Sequence, residues 1–136
     1  MDIWFYGKLY ALTVPLFLFV DIIWLGVIAK GFYQRNLAFI LSPTVNWAAA
    51  IAFYLLYIVG ILIFAVLPAL KASSMGKAVI LGILFGFFTY ATYDLTNLAT
   101  VKDWPLKIVV VDLLWGMFLC GVVSLVSFAM GSWLLR

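Results

Sequence analysis

Residues 108–132, IVVVDLLWGMFLCGVVSLVSFAMGS, run for 25 residues without a Lys or an Arg. An α-helix rises ~1.5 Å per residue, so this stretch crosses a hydrocarbon core of ~30 Å with a little to spare. Three further runs free of Lys and Arg precede it, at about 9–29, 45–67 and 78–100. Composition agrees: 68% of the 136 residues are hydrophobic and 10% charged, and the mean hydropathy is +1.26. A soluble globular domain does not have that balance. The sequence therefore predicts an all-α fold, an integral membrane four-helix up-down bundle forming one domain over residues 1–136. The first run is too long for a signal-peptide core and no small-residue cleavage site follows it before Lys30, so it is expected to stay as an anchor.

Trp4, Trp47, Trp104 and Trp133 fall near the ends of the runs, where indoles favour the headgroup level, and are read as anchors. Pro43, Pro68 and Pro105 lie at ends or in loops, while Pro15 sits inside the first run and would bend it. Between the first two runs, FYQRNLAFIL (residues 32–41) sets Phe32, Phe39 and Ile40 around a basic middle. That pattern fits a short interfacial helix, and an ordinary loop fits equally.

Let side A be the membrane face that holds the N-terminus. Side A carries Lys8, Lys71, Lys77 and Arg136, and side B carries Lys30, Arg35, Lys102 and Lys107. This tie leaves orientation to the α-amino group, which tips the N-terminus toward the cytoplasm. The pI of 9.1 then reports two basic membrane faces, and no nucleic-acid partner is implied.

Three acids lie inside the runs. Asp21 precedes Lys30 by nine residues, Asp94 precedes Lys102 by eight, and Asp112 follows Lys107 by five. All three therefore belong to the side-B half, where ionisable groups are expected to face the bundle interior or a wet cavity. Two of them recur in one pattern, VDIIWLGV at 20–27 and VDLLWGMF at 111–118, each with Trp three residues after Asp. The first and last helices run antiparallel, so Trp24 lies level with Asp112 and Trp115 with Asp21. Each indole N–H is expected to donate to the other helix's carboxyl, a crossed clamp.

The third run supplies the stripe Ala78, Gly82, Gly86, Tyr90, Asp94 and Asn97, small at first and then polar. Thr89, Tyr93, Thr96 and Thr100 widen the polar band. The fourth run carries a matching row, Asp112, Gly116, Cys120 and Ser124. The second brings Tyr54 and Tyr57, of which Tyr54 is level with the acids. The expected site residues, for substrate or for protons, are Asp21, Asp94, Asp112, Trp24, Trp115, Tyr54, Tyr90 and Asn97.

These stretches also carry a resemblance. YATYDLTNLATVKDWPL (90–106) with VVVDLLWG (109–116), VDIIWLGVIAKGFYQRNL (20–37) and FYLLYIVGILIFAVLPAL (53–70) resemble a bacterial family of small predicted membrane proteins, a domain of unknown function. The resemblance spans nearly the whole chain. It implies four helices in a bacterial inner (cytoplasmic) membrane, and it implies no activity.

The residues themselves exclude several chemistries. With no His, no Glu and one Cys, the usual ligand sets for haem, zinc and iron–sulfur clusters are missing, as are Ser-His and Cys-His nucleophile pairs. No cofactor and no metal are expected, and Cys120 reads as a small buried residue. Three acids with no Lys or Arg at their depth make a protonatable cluster. The favoured function is binding or transport of a small amphipathic or cationic molecule, proton-linked, in a carboxylate and aromatic pocket near one membrane face. The alternatives are a membrane-embedded lipid-modifying enzyme or its lipid-binding accessory, and a structural or assembly subunit. Membrane lipid is the expected partner, and a homodimer would supply the route to side A that the apolar A half of one chain lacks.

Overall fold

The computed structural model describes residues 1–136 in full: helices joined by short connections, with no strand. Four helices are long and apolar enough to cross a membrane, α1 (Ile3–Ile28), α3 (Trp47–Lys71), α4 (Met75–Thr100) and α5 (Leu106–Leu134). The short α2 (Lys30–Leu37) follows α1 after one residue, so the interfacial segment is a helix rather than a loop. It is an all-α membrane bundle, 84% helical.

Local chemistry sets the helix starts. The Asp2 carboxylate accepts from the Phe5 N–H at 2.8 Å, which starts α1 six residues ahead of the apolar run and leaves Lys8 exposed on its surface. Asn46 caps α3 through the Ala49 N–H at 3.1 Å, and Ser74 caps α4 through the Lys77 N–H at 3.2 Å. Each side chain satisfies a donor that the first helical turn leaves free.

α1 continues as regular α-helix through Pro15. The irregular turns lie elsewhere, as π-helical segments at Trp24–Ile28 in α1 and Leu62–Val66 in α3. The second ends two residues before Pro68, which lies inside α3 rather than beyond it. Pro68 offers no N–H to the carbonyl one turn back, and the wide turn, closed by the Leu67 N–H on the Leu62 carbonyl, accommodates that loss. Wide turns of this kind recur beside functional sites.

α5 is the central helix, with 56% of its apolar window buried against 17% to 33% in the other three spans. Its most intimate partner is α4, where small residues let the two backbones approach closely. Gly82 lies against Cys120 and Ser124, Gly86 against the Gly116 carbonyl, and the Tyr90 ring over Gly116. α1 packs on another face of α5, where Leu9, Phe17, Leu119 and Val123 join one core cluster. There the buried Thr13 and Ser127 hydroxyls share a hydrogen bond of 3.0 Å. α3 approaches α4 closely through Leu62–Val66, and its first half leans instead on α1. A wedge is left open between α3 and α4 in the side-B half.

Candidate functional site

Every acid in the spans is buried: Asp94 completely, Asp21 to 5% exposure and Asp112 to 8%. The small row explains Asp94. One turn beyond Tyr90, which covers Gly116, the antiparallel register of α4 and α5 brings Asp94 to the residue one turn before Gly116, which is Asp112. Their carboxyl groups lie side by side within hydrogen-bonding range.

Asp21 stands apart from that pair. It accepts from the Tyr54 hydroxyl of α3 at 2.9 Å and from the Trp115 indole of α5 at 3.3 Å, so one arm of the expected clamp is direct. The second arm is not. Trp24 Nε1 donates to the Tyr33 hydroxyl at 3.1 Å, and that hydroxyl donates in turn to Asp112. The reason is stacking: the Trp24 and Trp115 rings lie 4.4 Å apart and within 6° of parallel. This arrangement holds both rings between the two carboxyls, and a residue of α2 bridges the remaining gap. Burial pushes the Tyr33 phenol well above its ordinary pKa, and its hydrogen bond to Asp112 adds to that. Tyr33 therefore remains a donor at physiological pH.

The wedge between α3 and α4 is a cleft of about 710 Å³, within the ~300–1,000 Å³ typical of small-molecule sites. Phe53 and Tyr57 form its α3 wall, Phe88, Tyr90 and Tyr93 its α4 wall, and Asp112 is the only charged residue that borders it. The Tyr57 hydroxyl bridges the two walls, 2.7 Å from Thr89 Oγ1 and 3.2 Å from Cys120 Sγ. The three acids thus do not line one cavity. Asp112 borders the cleft, Asp94 sits beside it in the protein interior, and Asp21 lies across the indole stack.

Of the other expected residues, Tyr90 is in the cleft wall and Tyr54 holds Asp21. Asn97 lies beside Tyr93 toward the end of α4 and takes no part in the cleft. Two expectations are corrected. Trp104 is buried, at 7% exposure, among Leu37, Ile108 and Val109, and is no headgroup anchor, whereas Trp4, Trp47 and Trp133 are all more than 60% exposed. The indole of Trp104 sits next to Asp94. Of the polar band expected from Thr89, Tyr93, Thr96 and Thr100, only Thr89 and Tyr93 line the cleft; Thr96 and Thr100, like Thr92, donate to the carbonyl one turn earlier in their own helix and are exposed. Such back-bonding satisfies a hydroxyl at an apolar surface. No cluster of three or more acids or thiols gathers at one point to hold a metal ion.

A family described as "Predicted membrane protein (DUF2177)" matches residues 6–129. The chain belongs to this family. The DUF2177 match encloses all three buried acids, both clamp tryptophans, Tyr33 and Trp104, so the whole network falls inside the family's extent. No curated protein and no solved structure matches the chain.

Tyr33 and Trp104 are the residues that the apolar runs did not indicate. Both come from connecting segments, at Lys30–Leu37 and just after Thr100. Their one signal was an aromatic placed where an interfacial anchor would also stand.

Proposed function

We propose that the cleft between α3 and α4 binds a small amphipathic cation that enters sideways from the bilayer, with Asp112 as its counter-charge. One observation carries this reading: a single carboxylate borders a cavity of molecular size whose two walls are otherwise largely aromatic. Aromatic faces and a desolvated carboxylate are the groups that attract an organic cation, and the apolar remainder suits its hydrocarbon part. Phe53 and Phe88 are at least half exposed, which makes the mouth lateral and lipid-facing. The A half is closed by the Gly82 and Gly86 contacts and the Thr13–Ser127 bond. These contacts favour binding over a continuous pore in one chain.

The test uses the purified chain in lipid nanodiscs, titrated with tetraphenylphosphonium and with neutral tetraphenylmethane. The cation should bind and the neutral isostere should bind at least tenfold more weakly. Asp112→Asn should weaken the cation about tenfold, equivalent to ~1.4 kcal/mol, and leave the isostere unchanged. Equal affinity for the two probes would leave only a greasy groove and return the acids to a scaffolding role.

The membrane we assign is a bacterial inner membrane with the N-terminus in the cytoplasm, supported by the α-amino group that breaks the Lys and Arg tie. Single cysteines at Ser73 and Asp103, in a Cys120→Ala background, should be labelled by an impermeant maleimide from opposite sides, with Asp103 reached from outside. Labelling of Ser73 from outside would invert the assignment.

A further inference from the structure

Asp94 presents a chemical problem that the cleft does not solve. It is fully buried, yet neither of its carboxyl oxygens has a hydrogen-bond partner, and the nearby Trp104 Nε1 is equally unpartnered. Unsatisfied buried polar atoms are rare in folded proteins and call for an explanation. As two carboxylates, Asp94 and Asp112 would set like charges side by side in apolar surroundings, where both cannot stay ionised. The titratable groups around them are neutral phenols: Tyr33 from α2, Tyr90 and Tyr93 from α4, and Tyr57 from α3 across the cleft. Asp21 of α1 lies beyond the indole stack. No lysine or arginine is among them.

We propose that the Asp94–Asp112 pair is a proton-binding site, in which Asp94 carries a carboxylic proton and donates it to the Asp112 carboxylate. That proton accounts for the orphaned Asp94 oxygen that faces Asp112. It turns one Asp94 oxygen into a donor to Asp112 and leaves the other free to accept from the neighbouring Trp104 indole on a small shift of that ring. Asp112 then receives from Asp94 and from Tyr33, which stabilises the single negative charge at the cleft. The chain of donors reads Trp104, Asp94, Asp112 from one end and Trp24, Tyr33, Asp112 from the other. Asp94 is a positioning residue here, since it acts on a ligand only through Asp112.

A consequence follows for the cleft, and it rests on the cation reading above. A cation beside Asp112 weakens the pair's hold on the shared proton, and linkage makes the effect mutual: the proton weakens the cation. Cation affinity should therefore rise with pH as the proton leaves to the buffer. In Asp94→Asn an amide replaces the carboxylic acid as donor, no shared proton exists, and that rise should flatten.

Infrared spectroscopy of the unliganded chain in nanodiscs at neutral pH tests the pair without any ligand. The wild type should show a protonated-carboxyl C=O band that shifts in D2O. Asp94→Asn should remove it and Asp21→Asn should retain it. Absence of the band from the wild-type chain overturns the proton site whatever the variants do, and its loss in Asp21→Asn moves the proton elsewhere and overturns it too. Tetraphenylphosphonium titrations from acid to alkaline pH then test the coupling. A flat profile in the wild type, or an undiminished rise in Asp94→Asn, overturns the coupling. Failure of the cation to bind at any pH removes the cleft reading and the coupling together, and the infrared band still decides the pair.

Discussion

Gly86→Leu should cost the bundle at least ~3 kcal/mol, because the added side chain meets backbone that cannot step aside. A Cβ at this position would overlap the Gly116 carbonyl and come within 3.0 Å of the Met117 nitrogen. Flexible side chains yield to such an intrusion, whereas a neighbouring helix must move as a body. Separating α4 from α5 would also pull Asp94 away from Asp112, since the same row of residues carries both contacts. The comparison is Gly76→Ala, where no atom lies within 4 Å of a new Cβ and the change should stay within about 0.5 kcal/mol. Unfolding free energies from SDS titration in mixed micelles would measure both. Equal stability of the two variants would mean that α4 and α5 are not held by this close approach.

The parts legible in the sequence were those that depend on one helix at a time. Depth is one such quantity: counting from Lys30, Lys102 and Lys107 set the acids near one level, and the structure links Asp21 and Asp112 across one pair of stacked indoles. Periodicity is another: the row from Ala78 to Asp94 is the buried face of α4, with Ala78, Gly82, Gly86 and Asp94 all buried. The level count also matched Asp21 to Trp115, because first and last helices of an up-down bundle are neighbours. What the sequence hid depends on where connecting segments land. α2 folds back so that Leu37, Phe32 and Tyr33 meet Trp104 and Ile108, and nothing in a hydropathy profile fixes that return. The place of the pocket was hidden for a related reason, since the cleft opens where α3, in contact with α4 at Leu62–Val66, diverges from it toward Trp47.

Two polar networks divide the buried acids between them. Asp21 is satisfied by two neutral donors from two different helices, Tyr54 and Trp115, and does not line the cleft. This is the arrangement expected of a fastening group, and it ties α1 to both α3 and α5. Asp112 has one hydrogen-bonded donor, an acidic neighbour and a cavity at its side. The same residue type thus has two physical roles, distinguished by what remains unsatisfied around it. The stacked indoles stand between them.

Trp115→Ala should be the second large loss, about 3 kcal/mol, and its partition would show what the stack contributes. Trp115 is 9% exposed, stacks on Trp24 at 4.4 Å, touches Phe118 at 5.7 Å between ring centroids and donates to Asp21 at 3.3 Å. Truncation removes all of these and leaves a void between two carboxyls, where large-to-small replacements of aromatic residues cost ~3–5 kcal/mol. Trp115→Phe keeps one ring against Trp24, deletes the N–H together with the area of the second ring, and leaves Asp21 with Tyr54. Interhelical hydrogen bonds in membranes contribute about 1 kcal/mol, because separated helices find other partners. The Phe variant should therefore lose more than that bond alone and clearly less than the Ala variant, in the same SDS unfolding assay. Near-equal losses would shift the energy of the clamp from the aromatic stack to the single bond on Asp21. No loss in either variant would mean that α1 and α5 are held by the A-half contacts of Leu9, Thr13 and Phe17 alone.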